Sequence, residues 1–481
     1  MFNGVELISL SLFFLSSKYK TYYCKAIKSN PGMRVHLIAI GGSIMHNLAL
    51  ALQEKGYTIT GSDDHIYEPA YGRLEKHGLL PEMMGWNPDK ITKKLDFVIL
   101  GMHAKPDNPE LKKALELRLK VMSFPEFIYN QSKKKKRVVI AGSHGKTSVT
   151  GMVMHALKKN DYVFDYAVGS NIPGFENSVK LSDAPIIIIE GDEYLSSPID
   201  SQPKFMWYQP QIALINGIAW DHINVFPTYE IYKEEFINFI KSMKTGNELF
   251  YNAEDKEAEE LVLKYGSHLM VQPVHLPGYK IINGRTIVTI DKYDFPIAIF
   301  GKHNLINLSG AQKICEALRL NSKDFWTAMA DYTGAGKRLE QINNEKQIIA
   351  YRDFAHAPSK VRATVSAVKE QFPNQNLVAV LELHTFSSLN KDFIMQYADS
   401  LSDAGVAIVY VDNEALAAKG GDRYDQQQIR EAFNREDLLL IESREGLEQT
   451  LRPLIDPKQT LLLMSSGNFG SLEILKLINS D

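Results

Sequence analysis

The sequence predicts an α/β protein that is built from three domains, each with a mostly parallel sheet. The chain has 481 residues, and roughly 100–200 residues per domain favours about three domains. From residue 33 onward, short apolar runs alternate with helical patterns, and several of these runs end in glycine or in acidic residues. Strands that alternate with helices form parallel sheets whose strands are covered on both faces.

Composition and charge argue against several functional classes. The hydrophobic content of 44% is typical of a globular protein, and a net charge of −3 gives no reason to expect nucleic acid as a partner. We interpret the basic run Lys133–Arg137 as a solvated linker. The two cysteines, Cys24 and Cys315, have neither disulfide nor zinc spacing. We therefore expect a reducing, cytoplasmic compartment and no membrane partner.

Residues 1–32 differ from the rest of the chain. The apolar segment VELISLSLFFLSS is too short to span a bilayer, no basic stretch precedes it, and no small-residue cleavage site follows it. Met33 directly precedes RVHLIAIGG, where the first strand begins. We therefore expect residues 1–32 to be an over-extended start or a disordered leader.

The segment 33–132 is predicted to open a doubly wound sheet, whose ligands bind beyond the carboxyl ends of the strands. The strands VHLIAIGG, YTITGSDD and DFVILG and the helix HNLALALQEKG carry the pattern. The first turn, Gly41–His46, departs from G-x-G-x-x-G because His46 replaces the third glycine. Asp63, at the end of the second strand, stands where such folds place a ribose or base contact. The first turn and Asp63 can therefore be interpreted in two ways, as a nucleotide-binding site or as an ordinary turn of the sheet.

The strongest motif follows the apolar strand Val138–Ala141. It reads Gly-Ser-His-Gly-Lys-Thr over residues 142–147, and a helical pattern begins at once. Glycines let the main chain approach phosphate oxygens, and the free N–H groups of a new helix point at them. Lys146 is predicted to neutralise the β- and γ-phosphates of a triphosphate, and the Thr147 hydroxyl to hold Mg²⁺. Because Ile140 occupies the first glycine position of the general P-loop, this is a compact variant.

Two later strands of the central segment end in polar residues. The run APIIIIEGDEY ends at Glu190, with Asp192 and Glu193 just beyond, and IALINGIAWDHI leads into Asp221 and His222. Parallel strands would place these side chains at one sheet edge with Lys146 and Thr147. Oxygen ligands suit Mg²⁺, which bridges ATP oxygens. Glu190 alone would be a surface or capping acid and His222 alone a structural histidine, but together with the P-loop they indicate metal or phosphate contacts.

The last part of the chain continues the alternation of strands and helices. Gly301-Lys302-His303-Asn304 begins a helix, and GAGKRLE (334–340) forms a basic turn. The runs QIIAYRDFAHAPSKV, LVAVLELHTF, VAIVYVDN and TLLLMSSGNFG then predict a third doubly wound unit.

Six of these motifs, in this order, resemble the Mur ligases. They are AGSHGKTS, IIEGDEY, INGIAWDH, FGKHNLINLSGA, GAGKRLE and YRDFAHAPSKVRAT. The resemblance implies a Rossmann-like UDP-sugar domain over 33–132, a P-loop ATPase-like domain with a mostly parallel sheet over 133–333, and a Rossmann-like domain over 334–481. The third domain is expected to bind the incoming amine and part of ATP. The implied activity is ATP-dependent amide formation in peptidoglycan precursor synthesis through an acyl phosphate.

The resemblance also implies a role for each candidate residue. Lys146, Glu190 and His222 are the expected catalytic residues, and Thr147, Glu190 and His222 the expected Mg²⁺ ligands. Expected ATP contacts are Gly142, Ser143, His144, Gly145, Lys146, Thr147, Ser148, His303, Asn304, Arg338 and Asp353. Expected contacts of the UDP-sugar are Gly42, Ser43, Met45, Asp63 and His103. Expected contacts of the peptide are Glu193, His356 and His384.

Within the family, two acceptors for UDP-N-acetylmuramate stay open. The stretches GSDDHIYEPAYGRLEKHG, VMSFPEFIYN, NIPGFENSVKL and EYLSSPIDSQPKFMWYQP resemble the members that recycle the tripeptide L-Ala-γ-D-Glu-meso-diaminopimelate. His384, in LELHTFSSLNKDF, resembles instead the members that add L-alanine. The tripeptide is the favoured acceptor. A non-catalytic nucleotide-binding relative and a folate polyglutamate ligase are the further alternatives.

Two departures from the family pattern affect the expected site. The usual His-His-Pro is His356-Ala357-Pro358 here, so only one histidine is carried over. Ile237 lies where other members have a carbamylated lysine, so no carbamate is expected. The expected assembly is a monomer or a weak homodimer.

Overall fold

Three parallel-rich sheets follow one another along the chain and confirm the predicted α/β class. The computed structural model describes residues 32–222, 225–385, 388, 391–411, 416 and 425–480. The predicted leader, apart from Gly32, lies outside the described residues. So do residues 386, 387, 389 and 390 of the run LELHTFSSLNKDF, which bears on the choice of acceptor.

The first sheet has four strands in the order β2-β1-β3-β4, all parallel. Its strands are β1 (Arg34–Ile38), β2 (Thr58–Ser62), β3 (Phe97–Leu100) and β4 (Val121–Ser123). Its helices are α1 (Ser43–Glu54), α2 (Ala70–Lys76), α3 (Pro109–Glu116) and α4 (Phe124–Ser132). Helix α1 begins three residues before the predicted one, directly at the first turn, because no side chain caps it and the turn itself leads into the helix.

The central sheet has seven strands in the order β13-β12-β11-β5-β8-β6-β7. These strands are β5 (Lys136–Ala141), β6 (Asp165–Ala167), β7 (Val179–Lys180), β8 (Ile186–Gly191), β11 (Ile212–Ile215), β12 (Glu248–Asn252) and β13 (Met270–Val274). Only the β6–β7 pair is antiparallel. Strand β5 lies between β8 and β11, with Ile140 opposite Glu190 and Ala141 opposite Ile215. The strand that leads into the P-loop therefore adjoins both strands with polar ends, as the sequence predicts.

Helices and two small sheets surround the central sheet. The helices are α5 (Lys146–Lys159), α6 (Lys204–Tyr208), α7 (Tyr229–Ser242), α8 (Lys256–Tyr265), α9 (Lys302–Ala317) and α10 (Ser322–Met329). The antiparallel strands are β9 (Leu195–Ser197), β10 (Asp200–Pro203), β14 (Tyr279–Ile282), β15 (Arg285–Ile290) and β16 (Tyr293–Ile297). The side chains of Ile187, Ile188 and Ile189 are completely buried, as expected of a strand that is covered on both faces.

The third sheet has six strands in the order β17-β18-β22-β19-β20-β21, of which only β17 is antiparallel to its neighbour. The strands are β17 (Glu340–Gln341), β18 (Ile349–Asp353), β19 (Asn376–Glu382), β20 (Val406–Tyr410), β21 (Leu439–Ile441) and β22 (Gln459–Met464). The helices are α11 (Pro358–Gln371), α12 (Lys391–Ile394), α13 (Gln426–Phe433), α14 (Arg444–Leu451) and α15 (Ile474–Asn479).

The first sheet unit is attached to the central one by packing and by hydrogen bonds. Phe127 of α4 and Val139 of β5 belong to one continuous apolar core. The Asn47 side-chain oxygen accepts from Arg73 (2.8 Å) and from the Ser178 amide (3.1 Å), and the Arg73 guanidinium also donates to Asn177. These contacts orient the first turn of the N-terminal sheet toward the central sheet.

The basic run Lys133–Arg137 is only partly solvated, so its interpretation as a linker was wrong for two of its residues. Lys135 Nζ donates to Asp165 (2.7 Å) and to two main-chain carbonyls, and Arg137 is buried against the carbonyls of Ser132, Tyr208 and Gln209. These two cations donate to buried acceptors that other segments of the chain supply. The local sequence does not reveal those acceptors. Among the described residues, no helix is long and apolar enough to cross a membrane.

Replacing Lys135 by methionine is expected to lower the free energy of unfolding by about 3 kcal/mol, because Asp165 would be left charged and buried without its partner. Urea unfolding followed by circular dichroism measures the change. Lys134→Met, which removes an exposed cation from the same run, is the matched control and should have little effect. Equal stability of the two variants would contradict a structural role for Lys135.

Candidate active site

The P-loop needs glycine at two positions. Gly142 and Gly145 have φ angles of +122° and +71°, in the left-handed region. A Cβ atom on Gly145 would lie 2.2 Å from Asn216 Nδ2 and 2.3 Å from Asn307 Oδ1. The Asn216 amide also donates to the His144 carbonyl at 3.1 Å. The end of β11 and helix α9 thus clamp the loop and leave no room for a side chain.

Lys146, at the start of α5, is held by a carboxylate. Its Nζ donates to Glu193 Oε2 at 2.6 Å and to the Gly142 carbonyl at 2.7 Å, and the Glu193 side chain is completely buried. Burial alone would lower the pKa of Lys146, but Glu193 and Asp192 outweigh it and raise the pKa. Lys146 is therefore charged and already aimed at the loop.

The described partners of Glu193 lie in the central unit, whereas the peptide was expected at the C-terminal unit. Its second oxygen accepts from the Tyr232 hydroxyl at 2.9 Å, and this hydroxyl lies 2.6 Å from Ser143 Oγ. Ser143 Oγ in turn accepts from the Ala219 amide at 2.9 Å. Glu193 is thus the partner of the P-loop lysine and is connected to the P-loop serine through Tyr232, a role that the sequence did not predict.

Thr147 and Glu190 form the second polar pair of the P-loop. The Thr147 hydroxyl donates to Glu190 Oε1 at 2.8 Å, and Glu190 Oε2 accepts from the Gly169 amide at 2.9 Å. The structure therefore brings together two of the three predicted Mg²⁺ ligands.

His222 lies in a different group of ligand atoms. Together with Asp192 and Glu193 it offers ligand atoms that all lie within 4.8 Å of one another. His222 Nε2 is 3.8 Å from Glu193 Oε1, and Lys204 Nζ is 2.6 Å from Asp192 Oδ2. Burial alone would raise the pKa of Asp192, but Lys204 and Lys146 hold it well below its usual value.

The donor atoms in both groups suit Mg²⁺. Thr147 and Glu190 offer hydroxyl and carboxylate oxygens, the ligands that this hard cation prefers. Asp192 and Glu193 add two further carboxylates beside the His222 imidazole. Lys146 and Lys204 already pair with these two carboxylates, so a divalent cation there would compete with the lysines for them.

Seven of the eleven expected ATP contacts line one cavity of about 100 Å³ between the P-loop, helix α9 and the C-terminal sheet unit, whereas Gly142, Ser143, Lys146 and Thr147 do not. The predicted residues that line it are His144, Gly145, Ser148, His303, Asn304, Arg338 and Asp353. Burial lowers the pKa of His144 to about 3 and that of His303 to about 4, so both rings are neutral at pH 7. Ser359, which was not predicted, contacts His144 Nε2 at 2.9 Å.

A second cavity, of about 530 Å³, lies between the first turn of the N-terminal sheet, residues 169–171 and residues 336–354. Ser43 lines it, as do Asn47 and Tyr67, which the sequence analysis did not single out. Asn47 belongs to the same turn motif, so its position was the available signal, whereas nothing local marked Tyr67.

The other expected UDP-sugar contacts have different surroundings. Asp63 Oδ2 accepts from the Gly41 amide at 2.7 Å, and burial raises the pKa of Asp63 to about 6. The exposed His103 lies beside the turn, since a Cβ on Gly42 would be 3.5 Å from its ring. The Met45 side chain packs in the hydrophobic core, so it is not available to a ligand.

A third cavity, of about 1040 Å³, lies in the C-terminal unit between residues 337–353 and 463–480. It shares Lys337, Glu340 and Arg352 with the second cavity and Asp353 with the nucleotide cavity. Arg338 lines both the nucleotide cavity and the second cavity. The three cavities thus meet at one wall, made by the basic turn and the end of β18.

The two histidines expected to contact the peptide lie at the carboxyl ends of β18 and β19. His356 Nδ1 is 2.8 Å from the Phe354 carbonyl, and burial lowers its pKa to about 4. His384 Nδ1 is 3.8 Å from Glu382 Oε1, and its ring lies close to Gly467. Neither histidine lines the third cavity.

Three family profiles match successive parts of the chain. The Mur ligase family catalytic domain matches residues 34–136, and the Mur ligase middle domain matches residues 140–315. The glutamate ligase domain of the Mur ligases matches residues 337–467. The three matches together take in most of the chain.

Two relatives extend over nearly the whole chain but differ in their acceptors. A UDP-N-acetylmuramate–L-alanine ligase from Sulfurihydrogenibium sp. (strain YO3AOP1) is 27% identical over 453 residues, which cover 91% of this chain and 96% of that protein. A UDP-N-acetylmuramate–L-alanyl-γ-D-glutamyl-meso-2,6-diaminoheptandioate ligase from Haemophilus influenzae is 26% identical over 452 residues, with coverage of 91% and 97%.

The same fold is present in a solved structure of the family. The UDP-N-acetylmuramate–alanine ligase from Thermotoga maritima superimposes with a TM-score of 0.69 at 19% identity and covers 91% of this chain and 96% of that chain. The mixed α/β fold of this chain, with its parallel-rich sheets, matches the three-domain structures of the Mur ligases. The chain therefore belongs to the Mur ligase family, whose members are ATP-dependent amide ligases.

Proposed function

We propose that the protein joins UDP-N-acetylmuramate to the tripeptide L-Ala-γ-D-Glu-meso-diaminopimelate, with release of ADP and phosphate. The observation that carries the proposal is that three cavities meet at the wall formed by the basic turn and the end of β18. An amide ligase of this kind must bring a triphosphate, a carboxylate donor and an amine together at one point. The P-loop together with the small cavity beside it is assigned to ATP, the second cavity to the UDP-sugar and the third to the acceptor.

The chemistry needs an activated carboxylate. A lactyl carboxylate oxygen attacks the γ-phosphorus, the bond from that phosphorus to the β,γ-bridging oxygen breaks, and ADP leaves. The acceptor nitrogen then attacks the acyl carbon, and the tetrahedral intermediate expels phosphate while the nitrogen loses a proton. Such transfers depend on positioning and charge neutralisation rather than on covalent help from the protein.

Lys146 supplies the charge neutralisation. Its ammonium group points at the Gly142 carbonyl, so a triphosphate on the N-terminus of α5 would lie within its reach. The phosphates would take over from Glu193 as the counter-charge of this buried cation. Mg²⁺, held by Thr147 and Glu190 with His222 at a second ion, would neutralise phosphate charge when bound.

The C-terminal unit supplies the positioning. Arg338 and Asp353 face the nucleotide cavity from the side opposite the P-loop, so ATP would contact both units at once. Closure around the nucleotide would exclude water from the acyl phosphate, which water would otherwise hydrolyse. The neutral His303 and Asn304 are assigned to the adenine end of the cavity.

The size of the third cavity supports the tripeptide as acceptor. A volume of about 1040 Å³ is at the upper end of the roughly 300–1,000 Å³ that is typical of sites for drug-sized ligands. Alanine is far smaller than such a ligand. Lys337 on the wall of this cavity is a suitable partner for a peptide carboxylate, whereas Arg352 is already paired with Glu340 (2.7 Å). His356, His384 and the end of β19 are assigned to the approach of the amine.

L-Alanine is the second candidate acceptor. A relative that carries the name of an alanine ligase is as similar to this chain as one that carries the name of the tripeptide ligase. Our proposal further includes a cytoplasmic monomer or weak homodimer with domains over 33–132, 133–333 and 334–481. The three sheets fall within these boundaries.

Incubation of the protein with UDP-N-acetylmuramate, ATP and Mg²⁺ is expected to release ADP when the tripeptide is added and much less when L-alanine is added. Mass spectrometry of the UDP-linked product identifies the amide formed, and an EDTA control should stop the reaction. Faster turnover with L-alanine would favour the alanine ligase, and no ADP release with either acceptor would favour a non-catalytic relative.

Lys146→Ala is expected to lower the rate of product formation by at least about 10²–10³-fold, the loss found when one transition-state contact is removed. The single change leaves the Glu193 carboxylate buried without its cation. The double variant Lys146→Ala/Glu193→Gln therefore tests the loss of the lysine charge without leaving an unpaired carboxylate. Lys159→Ala, at the exposed far end of the same helix, is the matched control. Near-normal turnover by either folded Lys146 variant would contradict the assigned role.

A further inference from the structure

Two side chains in the first turn of α11 reach across to the central unit. Ser359 Oγ lies 2.9 Å from His144 Nε2 of the P-loop, and Lys360 Nζ lies 3.2 Å from Asp221 Oδ2. These are contacts between the C-terminal sheet unit and two loops at the carboxyl edge of the central sheet. The docking of α11 therefore places two of its side chains beside the P-loop, at one end of the nucleotide cavity.

Helix stability does not account for the position of Lys360. A cation in the first turn faces the positive end of the helix dipole, which is unfavourable, and this turn contains no acidic side chain to offset it. Asp221, on the other unit, supplies the missing negative charge. The side chains of Lys360 and Asp221 are 19% and 15% exposed, so solvent and salt screen this pair less than a surface ion pair.

From Asp221 a chain of polar contacts leads to the P-loop lysine. Asp221 Oδ1 accepts from the His222 amide at 2.8 Å, and His222 has a left-handed backbone with a φ angle of +56°. The His222 ring lies 3.8 Å from Glu193 Oε1, and Glu193 holds Lys146 at 2.6 Å. The position of Lys360 is thereby linked to the residues assigned to the phosphates.

We propose that Lys360 is a positioning residue that fixes Asp221, and through it His222, only when the C-terminal unit is docked. The inference rests on the proposed ligase function. It makes phosphoryl transfer depend on domain closure: with α11 displaced, the loop that carries Asp221 and His222 loses its cation and the phosphate site is incomplete. ATP hydrolysis in the open state is thereby suppressed.

The test compares Lys360→Met and Lys360→Arg with Arg362→Met. Arg362 lies on the same helix and, among the described residues, donates to the Ala398 carbonyl of the C-terminal unit, so its replacement removes the same charge without touching Asp221. We expect Lys360→Met to lower kcat roughly tenfold to hundredfold through misplacement of His222, with little change in the KM for UDP-N-acetylmuramate. Lys360→Arg should recover most of the lost kcat, and Arg362→Met should match the wild-type protein.

A double-mutant cycle separates this link from a general loss of structure. Asp221→Asn should lower kcat in the wild-type background but cause little further loss beside Lys360→Met, because both changes break the same contact. Additive losses, or a Lys360→Met variant that behaves like Arg362→Met, would overturn the proposal.

Small-angle X-ray scattering tests the docking independently of turnover. With a non-hydrolysable ATP analogue, Lys360→Met should have a larger radius of gyration than the wild-type protein, and equal radii would overturn the link between Lys360 and docking. If the wild-type protein releases no ADP with either acceptor, the ligase assignment fails, whereas the scattering comparison still decides whether Lys360 docks the C-terminal unit.

Discussion

The buried ion pair between Lys146 and Glu193 is the interaction on which the rest of the site depends. Removing an ammonium group and a carboxylate from water costs several kcal/mol for each ion, so neither is stable here without the other. The Tyr232 hydroxyl satisfies the remaining carboxylate oxygen and connects it to Ser143. A phosphate that binds Lys146 must therefore displace Glu193 or share the lysine with it, and the hydrogen bonds of Tyr232 connect Glu193 with α7 and the P-loop serine.

The sequence predicted the sheet edge of the site correctly, because the burial of parallel strands determines where their polar ends lie. Apolar runs such as Ile186–Ile189 indicate strands buried on both faces, and polar residues after them must meet at one sheet edge. The sheet order confirms this expectation, because β5 lies between β8 and β11. The contact between Thr147 and Glu190 follows from that order and from the register of the strands.

Side-chain partners across loops could not be predicted in the same way. Glu193 was assigned to the peptide because nothing local indicates that its carboxylate turns back toward Lys146. Lys135 and Arg137 were read as solvated because a run of cations does not reveal the carbonyls that other segments bring to it. The third cavity joins segments that lie more than a hundred residues apart. The spacing of residues within either segment does not predict that the two segments form a cavity together.

The wall shared by the three cavities has a consequence for inhibition. Because Lys337, Arg352 and Asp353 each line two cavities, a compound anchored in one cavity needs to extend only past these side chains to reach the next. Two weak fragments joined in this way gain the effective concentration of an intramolecular contact, which corresponds to millimolar values for short flexible linkers. A bisubstrate ligand built along this wall would also hold the C-terminal unit against the central one and trap the enzyme between two steps of its cycle.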